Sequence, residues 1–108
     1  YFFTYDYPFD PKAVEKRLKV EGVPALLDEV AGSYAALPTF DLQTAHDVLA
    51  AMGETRGTGL GSMVHPVRVA VSGLTEGPGL FEMLVLLGRD KVCARLRAVA
   101  QRLRDGAL

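Results

Sequence analysis

The sequence predicts an all-α fold, a compact bundle of five to seven short helices. Three observations lead there. Apolar residues recur three or four apart along most of the chain, the period of helices with one buried face. Glycines and prolines fall between the periodic runs, where helices start and stop. The one stretch that alternates like a strand, HPVRVAVSG at residues 65 to 73, has no second strand to pair with, so a helix beginning at Pro66 and ending at Gly73 is expected there.

The other elements follow in order. Asp10-Pro11 ahead of KAVEKRLKV reads as an N-cap with proline at the first helical position, and Val14 and Leu18 share a face. Gly22 stops that first helix. Leu26, Leu27, Val30, Tyr34 and Leu37 carry a second helix up to Pro38. Thr39 or Asp41 can cap a third, whose apolar face is Leu42, Ala45, Val48, Leu49 and Met52. RGTGLGS, residues 56 to 62, reads as a turn or loop. Leu80 to Leu87 is nearly all apolar and is expected to be buried. Gly88 breaks it, Asp90 is placed to cap a final helix, and Val92, Leu96, Val99 and Leu103 form that helix's inward stripe.

At 108 residues, 49% hydrophobic and 23% charged, the chain is expected to be one domain with a single core. It opens on Tyr1, and its first seven residues, YFFTYDY, include five aromatics. Such rings are costly to leave in water, so the chain reads as a piece of something larger, with this run packed on an upstream domain. No stretch approaches the ~20 apolar residues of a membrane span, and no signal peptide is recognisable; the expected location is the cytoplasm, with no membrane partner. Net charge is −1, but residues 1 to 55 carry −5 and residues 56 to 104 carry +5. A basic face is therefore available for a nucleic acid, and a solvated helix surface would carry the same charges.

Catalytic constellations are weak. His46 and His65 are nineteen apart and lack further ligands at metal spacing, so no metal site is expected. Cys93 stands alone and reads as a buried, inert thiol. Glu76 and Glu82 do not form a convincing acid–base pair, and RGTGLGS lacks the lysine and hydroxyl of a phosphate-binding loop. No catalytic residue and no cofactor are assigned to these residues. What stands out is Arg68 inside an apolar run, followed by Gly77-Pro78-Gly79 and Leu80. An arginine can bond or stack on bases, a glycine-rich turn exposes backbone N–H groups, and a leucine can meet an unstacked base; single-stranded RNA loops are recognised by such parts. A surface arginine and a plain inter-helix turn would use the same residues. A protein-interaction module, docking through the aromatic N-terminus and the apolar helix, also stays open, as does a small enzyme using Cys93 or a histidine.

The order of residues 59 to 96, GLGSMVHPVRVAVSGLTEGPGLFEMLVLLGRDKVCARL, resembles the C-terminal anticodon-binding domain of bacterial glutamyl-tRNA synthetases. The shared features are the His-Pro-Val-Arg-x-Ala-Val-Ser-Gly block, Pro-Gly before Leu-Phe-Glu, Leu-Leu-Gly-Arg-Asp and a closing arginine-leucine helix. The cage of class I lysyl-tRNA synthetases is similar but fits the order of these blocks less well. The resemblance implies the distal part of a helical cage that grips the anticodon loop of tRNA(Glu), not DNA, in a parent enzyme that joins glutamate to tRNA with ATP and Mg2+. Carried across by position, Arg68 would contact anticodon bases, and Pro78, Gly79 and Leu80 would form the turn that meets the first of them. Gly77 departs from the hydroxyl-bearing residue of some relatives. Arg95, Arg97 and Arg102 are lesser candidates for phosphate contacts, with a solvated helix face the reading for at least two of them, and the acidic first half would face away from the RNA. The class I catalytic signatures are missing, as expected of a non-catalytic fragment of a longer synthetase.

Overall fold

A computed structural model describes residues 10–73 and 79–106. Six α-helices and one π-helical turn account for nearly all of them, with no strand among the described residues: α1 Pro11–Ala13, the π turn Val14–Leu18, α2 Val23–Ala35, α3 Leu42–Arg56, α4 Gly59–Ser72, α5 Leu80–Leu87 and α6 Arg89–Arg104. The aromatic run at residues 1 to 7 and Pro78 lie outside this description.

The first helix starts as its sequence suggests. Asp10 accepts a hydrogen bond from the Lys12 N–H at 3.1 Å, and Pro11 takes the position whose N–H would be unpaired anyway. It does not continue as one regular helix. The Lys19 N–H reaches back five residues to the Val14 carbonyl (2.9 Å), and this wider turn carries Val14 and Leu18 into the core. Gly22, at φ 88°, then reverses the chain into α2.

α2 and α6 make the most extensive helix pairing. They run antiparallel: Asp28 near the start of α2 meets Arg104 at the end of α6, while Leu37 beyond the end of α2 meets Arg89 at the start of α6. Leu27, Val30 and Ala31 of α2 close on Val92, Leu96 and Val99 of α6, all at most 1% exposed. Cys93 is buried as expected. Its thiol donates to the Ala31 carbonyl at 3.4 Å, and burial pushes its pKa up, which keeps it protonated and inert. The Tyr34 hydroxyl joins α2 to α3 by donating to the Ala45 carbonyl at 3.0 Å, and its ring packs edge-on against Phe40.

Of the two expected caps for α3, Asp41 is the one used. It accepts from the Thr44 N–H at 2.9 Å while its own N–H donates to Thr44 Oγ1 at 2.9 Å, and the first of these bonds holds the carboxyl below its ordinary pKa. The apolar face of α3 is narrower than its pattern: Ala45 and Leu49 are fully buried, but Leu42 at the open end is 49% exposed.

Four further expectations are corrected. Residues 59 to 62 are the first turn of α4, not loop, and Pro66 lies inside that helix instead of opening it. The close contact falls on α3, where Gly53 sits so near Gly59 and Leu60 that a Cβ at 53 would fall 2.7 Å from the Gly59 carbonyl carbon, while Gly59 itself takes φ 81°. Propensity disfavours glycine and proline in a helix, and packing overrides it. Second, α5 is not enclosed. It buries Leu80 and Leu84, one stripe of an eight-residue helix lying on α3 and α6, and leaves Leu86 87% exposed. Third, α6 starts at Arg89 with Gly88 (φ 90°) as its N-cap, so Asp90 lies in the first turn without capping by its side chain. Fourth, the charge split by halves of the chain does not become two wholly separate faces. Asp28 pairs with Arg104 at 2.5 Å and Glu29 with Arg56 at 3.4 Å, because the packing of α2 interleaves the two halves.

Candidate nucleic-acid interface

Arg68 stands on α4, half-buried, five residues before Gly73 ends the helix at φ 80°. The backbone beneath it is anchored: Ser72 Oγ donates to the Arg68 carbonyl at 2.6 Å. The Gly73 carbonyl also accepts the Asp10 N–H at 2.9 Å, which ties the start of the first helix to the end of α4. That junction brings Lys16 and Arg17 toward α4. His65, one turn before Arg68, feels all three cations. Its pKa is lowered first by burial and then by Arg17, Arg68 and Lys16.

This shift has a consequence for stability. A histidine whose folded pKa lies below its ordinary value near 6.5 binds its proton less readily folded than unfolded. Its contribution is complete above the unfolded value and lost as pH falls through the folded one. The melting temperature should therefore drop more steeply between pH 7.5 and 5 in the native chain than in His65→Gln. Parallel pH profiles of the two would show that the drop has another source.

The other residues singled out in the sequence divide by surroundings. Gly79 is exposed and forms the N-cap of α5, and a side chain there would collide with the Glu82 carboxyl, which folds back over the helix start. A carboxylate in that place accepts hydrogen bonds, so this end of α5 suits the donor groups of a base edge better than a phosphate. Leu80 is only 3% exposed. Its side chain belongs to the core, which leaves little of the residue to meet a base. Six Cα steps separate Gly73 from Gly79, so the start of α5 lies within about 20 Å of the end of α4.

The three α6 arginines do not share a face. At 3.6 residues per turn, Arg95 and Arg102 lie about 20° apart round the helix, with Arg97 roughly 140° or more from both. Arg95 turns toward α4, where Nη1 donates to the Val71 carbonyl at 2.6 Å and satisfies one of the open carbonyls of that helix end. Arg97 is exposed on the flank where Arg89 bonds Leu37 and Arg104 pairs with Asp28.

Lys16, Arg17, Arg56 and His65 escaped the sequence reading. They line one concavity of about 480 Å3 beside α4. Two of them sit in the acidic half of the chain, where a count by halves hides them. The one available signal was the three-residue spacing of His65 and Arg68, which places them on one face of a helix once residues 59 to 72 are read as helical. His46 lies elsewhere, 5.3 Å edge-on from the Phe81 ring and 3.3 Å from Asp47. No three histidine, cysteine, aspartate or glutamate side chains gather to hold a metal ion among the described residues, and no described helix is long and apolar enough to cross a membrane.

Among its described residues this is an all-helical domain with a cationic surface beside α4, the electrostatic footprint of a nucleic-acid binder. The family profile described as anticodon binding domain matches residues 1–100, and the chain belongs to that family. It is 42% identical over 105 residues to a glutamate–tRNA ligase of Moorella thermoacetica, covering 97% of this chain and 21% of that protein. It is 38% identical over 101 residues to a glutamate–tRNA ligase of Deinococcus radiodurans, covering 94% and 20%. The fold superposes with a TM-score of 0.82, at 22% identity and over 89% of this chain, on 19% of the crystal structure of a glutamate tRNA ligase from Elizabethkingia meningosepticum in complex with its amino acid. The chain thus spans about a fifth of the length of the relatives it matches.

Proposed function

We propose that this domain binds the anticodon loop of a glutamate tRNA, within a longer chain that joins glutamate to that tRNA. The observation that supports it most is the placing of Arg68 on α4 among Lys16, Arg17 and His65, in a domain whose relatives bear the name glutamate–tRNA ligase. Arg68 reads bases and the cations around it attract the strand, while the exposed Gly79 offers backbone to the same loop.

The longer chain would use ATP and Mg2+ in the cytoplasm, and the aromatic run at residues 1 to 7 would pack on its preceding domains. The described residues do not suit the nucleotide or the metal: the glycine-rich stretch is a helix start without a phosphate-loop lysine, and no acidic cluster stands ready. Both belong to the catalytic part of that chain, and no step here runs through them.

The test is a salt-resolved titration with an anticodon stem-loop of glutamate tRNA. Arg68→Ala should weaken binding by ~1–3 kcal/mol and erase much of the preference over a loop with a scrambled anticodon. Binding indifferent to both Arg68 and the anticodon would reduce this surface to a generic basic patch.

A further inference from the structure

The concavity beside α4 carries more than general positive charge. Lys16 and Arg17 come from the π turn, Arg56 from the end of α3 and His65 from α4. Arg56 is already engaged by Glu29 at 3.4 Å, and the one carboxylate on the pocket's own wall is Glu21. Arg17 is different. Its Nε is shielded from solvent and has no hydrogen-bond partner among the described residues. A desolvated charged donor with no acceptor is costly, and an anion seated in this pocket would supply one. The hydroxyls of Thr58 and Ser62 line the same space, but Ser62 Oγ already donates its proton to the Thr58 carbonyl at 3.0 Å, so the donors left for a ligand are chiefly the cations. With Arg56 answered by Glu29, Lys16 and Arg17 stand against Glu21, and the net positive lining favours an anion. Its place is as informative as its charge, since His65 of the pocket and Arg68 beside it are one turn apart on α4, about 5–6 Å between Cβ atoms.

We infer that this pocket seats a backbone phosphate of the RNA strand whose base Arg68 contacts, with Arg17 and Lys16 as its ligands. The inference rests on the function proposed above and adds a division of labour. The pocket sets the register of the strand and Arg68 reads the base, since phosphate contacts position and base contacts specify.

The test uses Lys16→Gln, Arg17→Gln and the double variant, each titrated with the matched and the scrambled stem-loop at several salt concentrations. Each single variant should lose roughly 3- to 10-fold in affinity at low salt, and the slope of log K against log salt should fall by about 0.7 per lost contact. The ratio between matched and scrambled loops should stay unchanged, whereas Arg68→Ala should lower that ratio. Lys16 is exposed, so its variant reports on binding without disturbing the core. A stem-loop made neutral at one phosphate by methylphosphonate should lose affinity for the native protein and not for the double variant.

If the pocket variants bind with native affinity and slope while Arg68→Ala still fails, the pocket inference is overturned and the proposed function stands. If neither set of variants matters, both fall together. Inorganic phosphate that shifts the His65 resonances in the native protein, without any effect of the variants on RNA affinity, would identify a free-anion site and overturn the RNA assignment.

Discussion

Leu96→Ala is expected to lower the unfolding free energy by about 2–5 kcal/mol, a large part of the 5–15 kcal/mol that holds a domain of this size. Leu96 is fully buried at the centre of the α6 stripe, between Val92 and Val99, facing Leu27 and Val30 of α2. The cavity would open where two helices meet along their length, so neither can collapse into it without losing its other contacts. Each kcal/mol is worth roughly 4–8 °C in a domain this small, which makes the change easy to follow by thermal melting. Leu103→Ala, on the same stripe but only partly buried at the helix end, should cost distinctly less. Equal losses at 96 and 103 would mean that the core does not centre on the α2 and α6 pair.

Gly53→Ala is expected to be destabilising although alanine is the better helix former. A Cβ at 53 would stand 2.7 Å from the Gly59 carbonyl carbon and 3.2 Å from the Leu60 nitrogen, and both are backbone that cannot swing aside. Overpacking of this kind costs typically 1–3 kcal/mol and more where nothing can yield, against a propensity gain of about 1 kcal/mol. A net loss of ~2 kcal/mol is therefore expected. Gly32→Ala supplies the control: it lies in α2 with no atom within 4 Å of the added Cβ, and there the propensity gain should appear undiminished as added stability. Opposite signs for the same substitution in two helices would separate packing from propensity in one pair of denaturation curves. Gly53→Ala should also weaken RNA binding, because the segment it displaces leads through Ser62 and His65 to Arg68.

The helical class was legible because it depends on a local period, and the period survives in every apolar stripe from Leu26 to Val99. Caps were legible where the chemistry is short-range: Asp10 and Asp41 bond the backbone two and three residues ahead. The start of α4 was not. Gly59, Gly61 and Pro66 each speak against a helix locally, and the packing of α4 on α3, with Gly53 pressed against the Gly59 backbone, is a contact through space that those residues do not announce. Exposure of α5 was equally illegible, since its composition records hydrophobicity without saying how many neighbours are present to cover it; Leu80 and Leu84 found partners while Leu86 did not.

The interface divides in the same way. By itself the sequence determined the all-α class, the family resemblance in residues 59 to 96, and the singling out of Arg68 and of the Gly77 to Leu80 turn, all properties of residue order within one stretch. Only the tertiary structure decided that Lys16 and Arg17 stand beside His65, that Arg95 supports the end of α4, that Leu80 points inward, and that Asp28 and Glu29 neutralise Arg104 and Arg56. Electrostatic neighbourhood is a matter of distance through space, and chain order carries little record of it once a helix pair folds back on itself.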